Sequence, residues 1–188
     1  MGGVDKGLEL HLGQPLARHA LDRLRPQVGS LMLSANRHLD TYGAMGVPVW
    51  PDVQGDYAGP LAGMLAGLSR CTTHWMVTVP CDTPGFPEDL VGRLAAAVAH
   101  EGAELALAAT REPDGSLQPH PVFCLMQASL RESLEAFLSQ GQRRIDRWTG
   151  RHRQVTVVFE DLDAFFNANT PEELQRLQPQ ALNGGAAP

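Results

Sequence analysis

The chain has 188 residues, of which 43% are hydrophobic, and a formal net charge of −6 at pH 7. This length suits one α/β domain with its own core, and the acidic balance argues against a general nucleic-acid binder, whose phosphate contacts require a basic surface. No apolar run approaches the roughly 18 residues that cross a bilayer, and the first residues do not resemble a secretory signal, so we expect a cytoplasmic protein without a membrane segment.

The chain opens with a glycine-rich segment, Met1-Gly2-Gly3-Val4-Asp5-Lys6-Gly7. Glycines let backbone N–H groups approach a phosphate closely, and a lysine supplies a compact positive charge for the same anion. A flexible N-terminus is the commoner origin of such a pattern, so Gly3 and Lys6 become candidates only together with a second element downstream.

Helix-like and strand-like segments alternate along the rest of the chain. Helical spacing predicts helices over Pro15 to Leu24, Leu61 to Leu68, Pro87 to Ala99, Leu130 to Leu138 and from Thr170 onwards, and apolar runs predict strands over Leu31 to Leu33, Val47 to Trp50, Trp75 to Val79, Leu105 to Ala109, Val122 to Leu125 and Val155 to Phe159. This alternation predicts a mostly parallel sheet with helices on both faces. We expect one domain over residues 1–178 and a disordered tail over residues 179–188, which are nearly all small or polar.

Ligands of such sheets bind beyond the carboxyl ends of the strands, which directs attention to the residues that follow them. Asp82 follows the strand that begins at Trp75 and lies between Pro80 and Pro84. A carboxylate on a stiff loop is a suitable Mg²⁺ ligand, although aspartate beside proline is as often a turn residue.

Two further strand ends carry hydrogen-bonding side chains. Asp52 follows the strand that ends at Trp50, and Ser34 and Asn36 follow the strand that ends at Leu33. These groups could contact a sugar or a base, but ordinary turn and loop roles are the commoner ones for these residue types.

The remaining candidates are more isolated. His120, flanked by prolines, could act on an anionic substrate, although a histidine in this setting is more often a turn residue. Arg144 could clamp a phosphate or simply belong to a solvated basic cluster. Asn167 and Asn169 could present amides to a ligand, or serve as ordinary caps of the last helix. No Ser/His/Asp pattern supports acyl transfer.

Taken together and in this order, the motifs resemble molybdenum cofactor guanylyltransferase. The likeness is carried by the first seven residues together with four later segments: Ser34-Ala35-Asn36-Arg37, Gly59-Pro60-Leu61-Ala62-Gly63-Met64, Pro80-Cys81-Asp82-Thr83-Pro84 and Asn167-Ala168-Asn169-Thr170-Pro171-Glu172-Glu173-Leu174. It implies a three-layer, Rossmann-like nucleotidyltransferase fold that transfers GMP from GTP to the phosphate of molybdenum-bound molybdopterin with release of pyrophosphate.

The resemblance also implies roles for the candidate residues. Lys6 and Asp82 would be catalytic, and Asp82 would bind Mg²⁺. Both would bind the nucleotide, with further contacts from Gly3, Ser34, Asn36 and Asp52, whereas the pterin substrate would be bound by His120, Arg144, Asn167 and Asn169. We expect a monomer with GTP and molybdenum-molybdopterin as its partners, and molybdoenzymes or cofactor-insertion proteins as further candidates.

One feature departs from the family pattern. The family's first strand and its Leu-Ala-Gly-Gly-x-x-x-Arg loop, which precede Met-Gly-Gly, are missing from this sequence. Two alternatives therefore stay open: a truncated, catalytically weak protein that still binds the pterin or a molybdoenzyme, and a relative that uses CTP.

Overall fold

The computed structural model describes residues 5–52 and 59–166. The α-helices are α1 (Leu16–Leu24), α2 (Leu39–Gly43), α3 (Pro60–Leu68), α4 (Leu90–Glu101), α5 (Arg131–Ser139) and α6 (Ile145–Thr149). The strands are β1 (Leu10–His11), β2 (Gln14–Pro15), β3 (Leu33–Ser34), β4 (Val49–Trp50), β5 (Trp75–Thr78), β6 (Leu105–Arg111), β7 (Leu117–Gln127) and β8 (Gln154–Phe159), and single 3₁₀ turns cover Lys6–Leu8, Arg25–Gln27, Ala128–Leu130 and Asp163–Phe165. The predicted final helix and tail lie outside the described residues.

The main sheet has four strands in the order β5-β7-β6-β8. Strand β7 is antiparallel to both β5 and β6, and β6 is parallel to β8, so three strands run one way and β7 runs the other. The reversal follows from the short connection over residues 112–116, which can close a hairpin but is too short for a crossover helix. The sheet is therefore mixed: three of its four strands share one direction, whereas the two pairings made by β7 are antiparallel.

Strand β7 begins earlier than predicted and includes His120, which was expected before the strand. Its pairing with β6 shifts between Leu107 and Ala108, where the partner changes from Cys124 to His120. The residues that this irregularity leaves out of the register include Pro121, which has no N–H to donate to a ladder.

A second sheet consists of the parallel strands β3 and β4. Within residues 5–52 and 59–166 no strand pairing joins β3 to β5, but helix α3 lies against both. A Cβ on Gly63 would lie 3.4 Å from Ser34 Oγ, and one on Gly67 would lie 2.8 Å from Met76 Sδ. The glycines of α3 thus allow the helix to pack closely against both sheets.

Helices cover both faces of the main sheet. Side chains alternate between faces along a strand, so Ala106 and Ala108 of β6 pack with α4 on one face, whereas Leu105 and Leu107 pack with α3, α5 and α6 on the other. This explains why β6 is apolar at nearly every position. In the part of the chain that the structure describes, no helix has the length and apolar character needed to span a membrane.

We expect Gly92→Ala to stabilise the protein. Gly92 is exposed within α4, and an added Cβ would meet nothing within 4 Å, so the substitution should raise the free energy of unfolding by about 0.5–1 kcal/mol through helix propensity. Urea denaturation measures the change. The control is Gly67→Ala, in which the same gain in helix propensity is offset by a clash between the new Cβ and Met76 Sδ, so that stability should not rise. A Gly92→Ala protein no more stable than the parent would contradict the prediction.

Candidate functional site

The structure brings Lys6 and Asp82 together. Lys6 begins the first 3₁₀ turn and Asp82 follows β5, and Lys6 Nζ lies 3.8 Å from Asp82 Oδ2. The lysine side chain is 50% exposed and the aspartate 19%. An ion pair that is open to solvent contributes at most about 1 kcal/mol to stability, so it costs little to open for a ligand.

The loops that carry these two residues are packed tightly on each other. A Cβ on Gly7 would overlap the Tyr42 hydroxyl and lie 3.1 Å from Cys81 Sγ. Gly7 is next to Lys6 and Cys81 is next to Asp82. The close packing of Gly7 on Cys81 therefore fixes the backbone positions from which the two charged side chains extend.

A second polar group lies at the ends of β3 and β4. Asn36 Nδ2 donates to Asp52 Oδ2 at 2.8 Å, and the Asp52 backbone N–H donates to Asn36 Oδ1 at 2.8 Å. Ser34 Oγ lies 3.4 Å from Asp52 Oδ1 as a weaker donor. The neighbouring parallel strands therefore deliver the three predicted residues to one place, where both ends of the Asn36 amide hold Asp52.

One apolar cluster supports both polar groups. Its buried members are Ala17, Leu21, Tyr42 and Met45. Packed against it are residues next to the polar ones: Leu8 in the lysine turn, Ala35 between Ser34 and Asn36, and Cys81 before Asp82. The predicted nucleotide-binding residues among those described therefore emerge from one common base.

The electrostatics of the cluster argue against a covalent role for its thiol. Burial raises the pKa of Cys81 to about 11, with further contributions from the negative charges of Asp82 and Asp5 and an opposing one from Lys6. Only a thiolate is an effective nucleophile, so Cys81 stays inert at neutral pH.

Two residues of this site were missed from the sequence. Tyr42 Oη donates a hydrogen bond of 2.6 Å to Asp5 Oδ1, and burial, followed by this hydrogen bond, raises the pKa of the tyrosine. Tyr42 lies on α2, a five-residue helix that is too short to give a periodic apolar pattern. No local signal could have paired it with Asp5.

The donor set suits a magnesium ion that arrives with phosphates. Among residues 5–52 and 59–166 no group of three or more His, Cys, Asp or Glu side chains could hold a metal. Mg²⁺ often binds through one or two carboxylates together with substrate phosphates and waters. The partly shielded carboxylate of Asp82, beside a lysine, fits that mode.

His120 does not belong to the apolar cluster that supports the two polar groups. It lies near the carboxyl ends of β5 and β6, the end of the main sheet from which the Asp82 loop leaves. Because β7 is antiparallel, its first half lies at the carboxyl ends of β5 and β6. The His120 ring stacks on Phe165 with centroids 4.7 Å apart, and its Nε2 lies 2.9 Å from Thr110 Oγ1. Burial lowers the pKa of this histidine.

The other predicted substrate contacts are only partly described. Arg144 directs two nitrogens to the carboxylate of Asp146 in an exposed pair, so a phosphate would have to displace Asp146. Gly3, Asn167 and Asn169 lie outside the described residues.

Comparisons with known proteins identify relatives over most of the chain. The family model of the MobA-like NTP transferase domain matches residues 1–155. The molybdenum cofactor guanylyltransferase of Bordetella petrii is 58% identical over 94% of this chain and 90% of its own length, and that of Methylibium petroleiphilum is 57% identical over 97% and 91%.

Solved structures show the same fold at low identity. Molybdopterin-guanine dinucleotide biosynthesis protein A from Archaeoglobus fulgidus matches with a TM-score of 0.73 at 20% identity, over 93% of this chain and 89% of its own. 2-C-methyl-D-erythritol 4-phosphate cytidylyltransferase from Thermus thermophilus matches with a TM-score of 0.69 at 13% identity, over 91% of each chain. Both likenesses bear out the predicted Rossmann-like nucleotidyltransferase fold.

We expect His120 to make stability fall in mild acid. Its lowered folded-state pKa means that the unfolded chain binds a proton first, so stability is full above the unfolded pKa of 6.5 and is lost as the pH falls towards the folded value. The loss has a limiting slope of about 1.4 kcal/mol per pH unit for one proton.

Urea denaturation between pH 5 and 8 of the parent chain and His120→Gln measures this contribution. His11, whose pKa burial also lowers, adds the same trend to both proteins, so the difference isolates His120. The control His100→Gln changes a histidine that is 83% exposed and should keep the parent slope. An equal slope in the parent and His120→Gln would contradict the prediction.

Proposed function

This chain belongs to the MobA-like NTP transferase family, among the molybdenum cofactor guanylyltransferases, and we propose that it transfers GMP from GTP to the terminal phosphate of molybdenum-bound molybdopterin. A phosphate oxygen of the pterin attacks the α-phosphorus of GTP, and the bond between the α-phosphorus and its bridging oxygen breaks, so that pyrophosphate leaves. The observation that carries the proposal is the 3.8 Å approach of Lys6 to Asp82 at the sheet edge.

This reaction depends on positioning and charge more than on proton transfer. The attacking phosphate is already ionised at neutral pH, so no strong base is required, which agrees with the protonated thiol of Cys81. Lys6 would hold the triphosphate and offset the negative charge that develops as pyrophosphate leaves. Asp82 would hold Mg²⁺, and that ion, when bound, would supply further neutralisation of the phosphates.

The second polar group would recognise the nucleoside. Asp52 is held by Asn36 and faces Ser34, so its carboxylate is oriented before a ligand arrives. It could accept hydrogen bonds from a guanine or a ribose hydroxyl. We propose that Asn36 orients Asp52, because both the nitrogen and the oxygen of its side-chain amide are already hydrogen-bonded to Asp52.

The pterin would approach from the side of β7. His120 lies towards the same edge as Asp82, and Arg144 could reach a phosphate if it released Asp146. Asn167 and Asn169 complete the proposed contacts by resemblance alone.

The direct test is turnover by the purified chain. It would be incubated with Mg²⁺, molybdenum-molybdopterin and either GTP or CTP, and release of pyrophosphate would be followed together with formation of the dinucleotide. GTP-dependent product that requires the pterin supports the proposal. Faster use of CTP would assign the chain to a cytidylyl-transferring relative, and pterin binding without turnover would identify a non-catalytic protein.

We expect Asp82→Asn to lower turnover by roughly 100-fold or more, in line with the loss of one preorganised electrostatic group. The melting temperature should change little, because a partly exposed carboxylate contributes little to the core. Steady-state rates and thermal unfolding measure the two effects. Asp22→Asn, which opens an exposed pair with Arg18 on α1, is the matched control and should leave turnover unchanged. Equal activity in Asp82→Asn would remove this residue from the mechanism.

A further inference from the structure

We propose that Tyr42 is a positioning residue for Lys6: its buried hydroxyl fixes the turn that holds the lysine opposite Asp82. The inference rests on the proposed function, in which Lys6 binds the triphosphate. Three contacts support it: the phenolic oxygen of Tyr42 makes two of them, and the third joins the same turn to the loop of Asp82.

The first contact is the hydrogen bond from Tyr42 to the carboxylate of Asp5, which makes no helix-capping bond. Asp5 is the N-cap of the Lys6–Leu8 turn, a position where aspartate usually accepts hydrogen bonds from the backbone N–H groups that follow. Its side chain makes no such cap bond, and Oδ1 instead accepts the hydrogen bond from Tyr42 Oη at 2.6 Å. The residue directly before Lys6 is thus tied to a distant helix.

The second contact is between the tyrosine hydroxyl and the turn itself. Gly7 has no space for a Cβ, because the atom would overlap Tyr42 Oη. The backbone on the other side of Lys6 therefore rests directly on the same hydroxyl. Lys6 is flanked by one residue that hydrogen-bonds to Tyr42 and by another that packs against it.

The third contact joins this arrangement to the loop of Asp82. The Cβ position of Gly7 is also 3.1 Å from Cys81 Sγ, and Cys81 precedes Asp82. Tyr42 itself is only 4% exposed and packs with Ala17, Leu21 and Met45. The hydroxyl oxygen that contacts Asp5 and Gly7, the residues before and after Lys6, is consequently held in place by a buried ring.

This arrangement matters because a lysine side chain does not by itself fix the position of its ammonium group. Its four-carbon stem is flexible and half of the side chain is exposed, so the position of Nζ depends on how firmly the backbone is held. A displacement of about 1 Å in a positioning group can lower a rate by about 100-fold. The hydroxyl of Tyr42 therefore acts through Lys6, without touching the substrate.

Kinetics of Tyr42→Phe test the proposal in two backgrounds. The substitution keeps the packed ring and removes only the oxygen, and it should lower kcat/KM for GTP by roughly 10- to 100-fold. In the Lys6→Ala background the same change should have almost no further effect, because the group that Tyr42 positions is gone. Equal losses in both backgrounds, or no loss in the parent, would overturn the proposal.

Hydrogen exchange tests the same claim without any activity. The amides of Leu8 and Glu9 bond to the carbonyls of Asp5 and Lys6 within the turn. Tyr42→Phe should accelerate their exchange by about tenfold or more, while the amide of Met45, which bonds to the Tyr42 carbonyl, stays protected. Unchanged exchange in the turn, or equal acceleration at Met45, would contradict a positioning role.

Ser133→Ala is the matched control. It removes a hydroxyl that bonds to His152 and Trp148 beside the apolar cluster of α3, α5 and α6, which contains neither Tyr42 nor the residues that flank Lys6. It should change neither the exchange of Leu8 and Glu9 nor the use of GTP. If the parent chain shows no turnover, the proposed function fails while the exchange data still decide whether Tyr42 holds the turn.

Discussion

Lys6 and Asp82 are far apart in the chain and meet because their flanking residues pack on one apolar cluster. Buried Tyr42 and Met45 of that cluster lie beneath the lysine turn and the loop after β5, and Ala35 joins the end of β3 to the same base. Apolar burial is not directional, but close packing is, because interiors have almost no spare volume. The overlap that forbids a side chain at Gly7 shows how strictly this packing sets the backbone. The polar groups of the proposed nucleotide site are therefore positioned by the packing of their neighbouring residues on this apolar cluster.

The two polar groups above this base differ in how firmly they are paired. Asp52 exchanges two hydrogen bonds of 2.8 Å with Asn36, accepting one at its carboxylate and donating the other from its backbone N–H, and it is oriented before any ligand binds. Lys6 and Asp82 face each other at 3.8 Å, which is too long for a hydrogen bond, and the lysine is half exposed. A preformed acceptor suits a nucleoside, which has fixed donors. A loose ion pair suits a triphosphate and its cation, because each partner can exchange the other for a stronger ligand at little cost.

The sequence predicted the elements that have a strong periodic or apolar pattern and missed those fixed by distant contacts. Helix α1 matches its prediction within one residue, and β6 and β8 lie where apolar runs placed them. The early start of β7 was missed because Pro119 and Pro121 usually end strands, and here the pairing shifts beside them. The strand-end rule brought Asp52 and Asp82 into consideration, since that rule depends only on chain order, whereas Lys6 was singled out by its glycine-rich segment. Tyr42 could not be found in this way, because its partner Asp5 is 37 residues away and α2 has too few residues to show a face.

The charge balance of the site explains why a divalent cation belongs in the proposed reaction. Around the common base, the cations Lys6, Arg18 and Arg37 are opposed by the carboxylates of Asp5, Asp22, Asp52 and Asp82, and the raised pKa of Cys81 keeps its thiol neutral. A triphosphate brings several further negative charges to side chains that have no excess of positive charge to offset them. In the proposed reaction, a divalent cation that arrives with the triphosphate would offset this charge, and Asp82, which faces Lys6, would share the ion with the phosphates. The same balance gives a reason to hold one lysine firmly: with few cations at the site, the position of each would decide how well the pyrophosphate that leaves in the proposed reaction is stabilised.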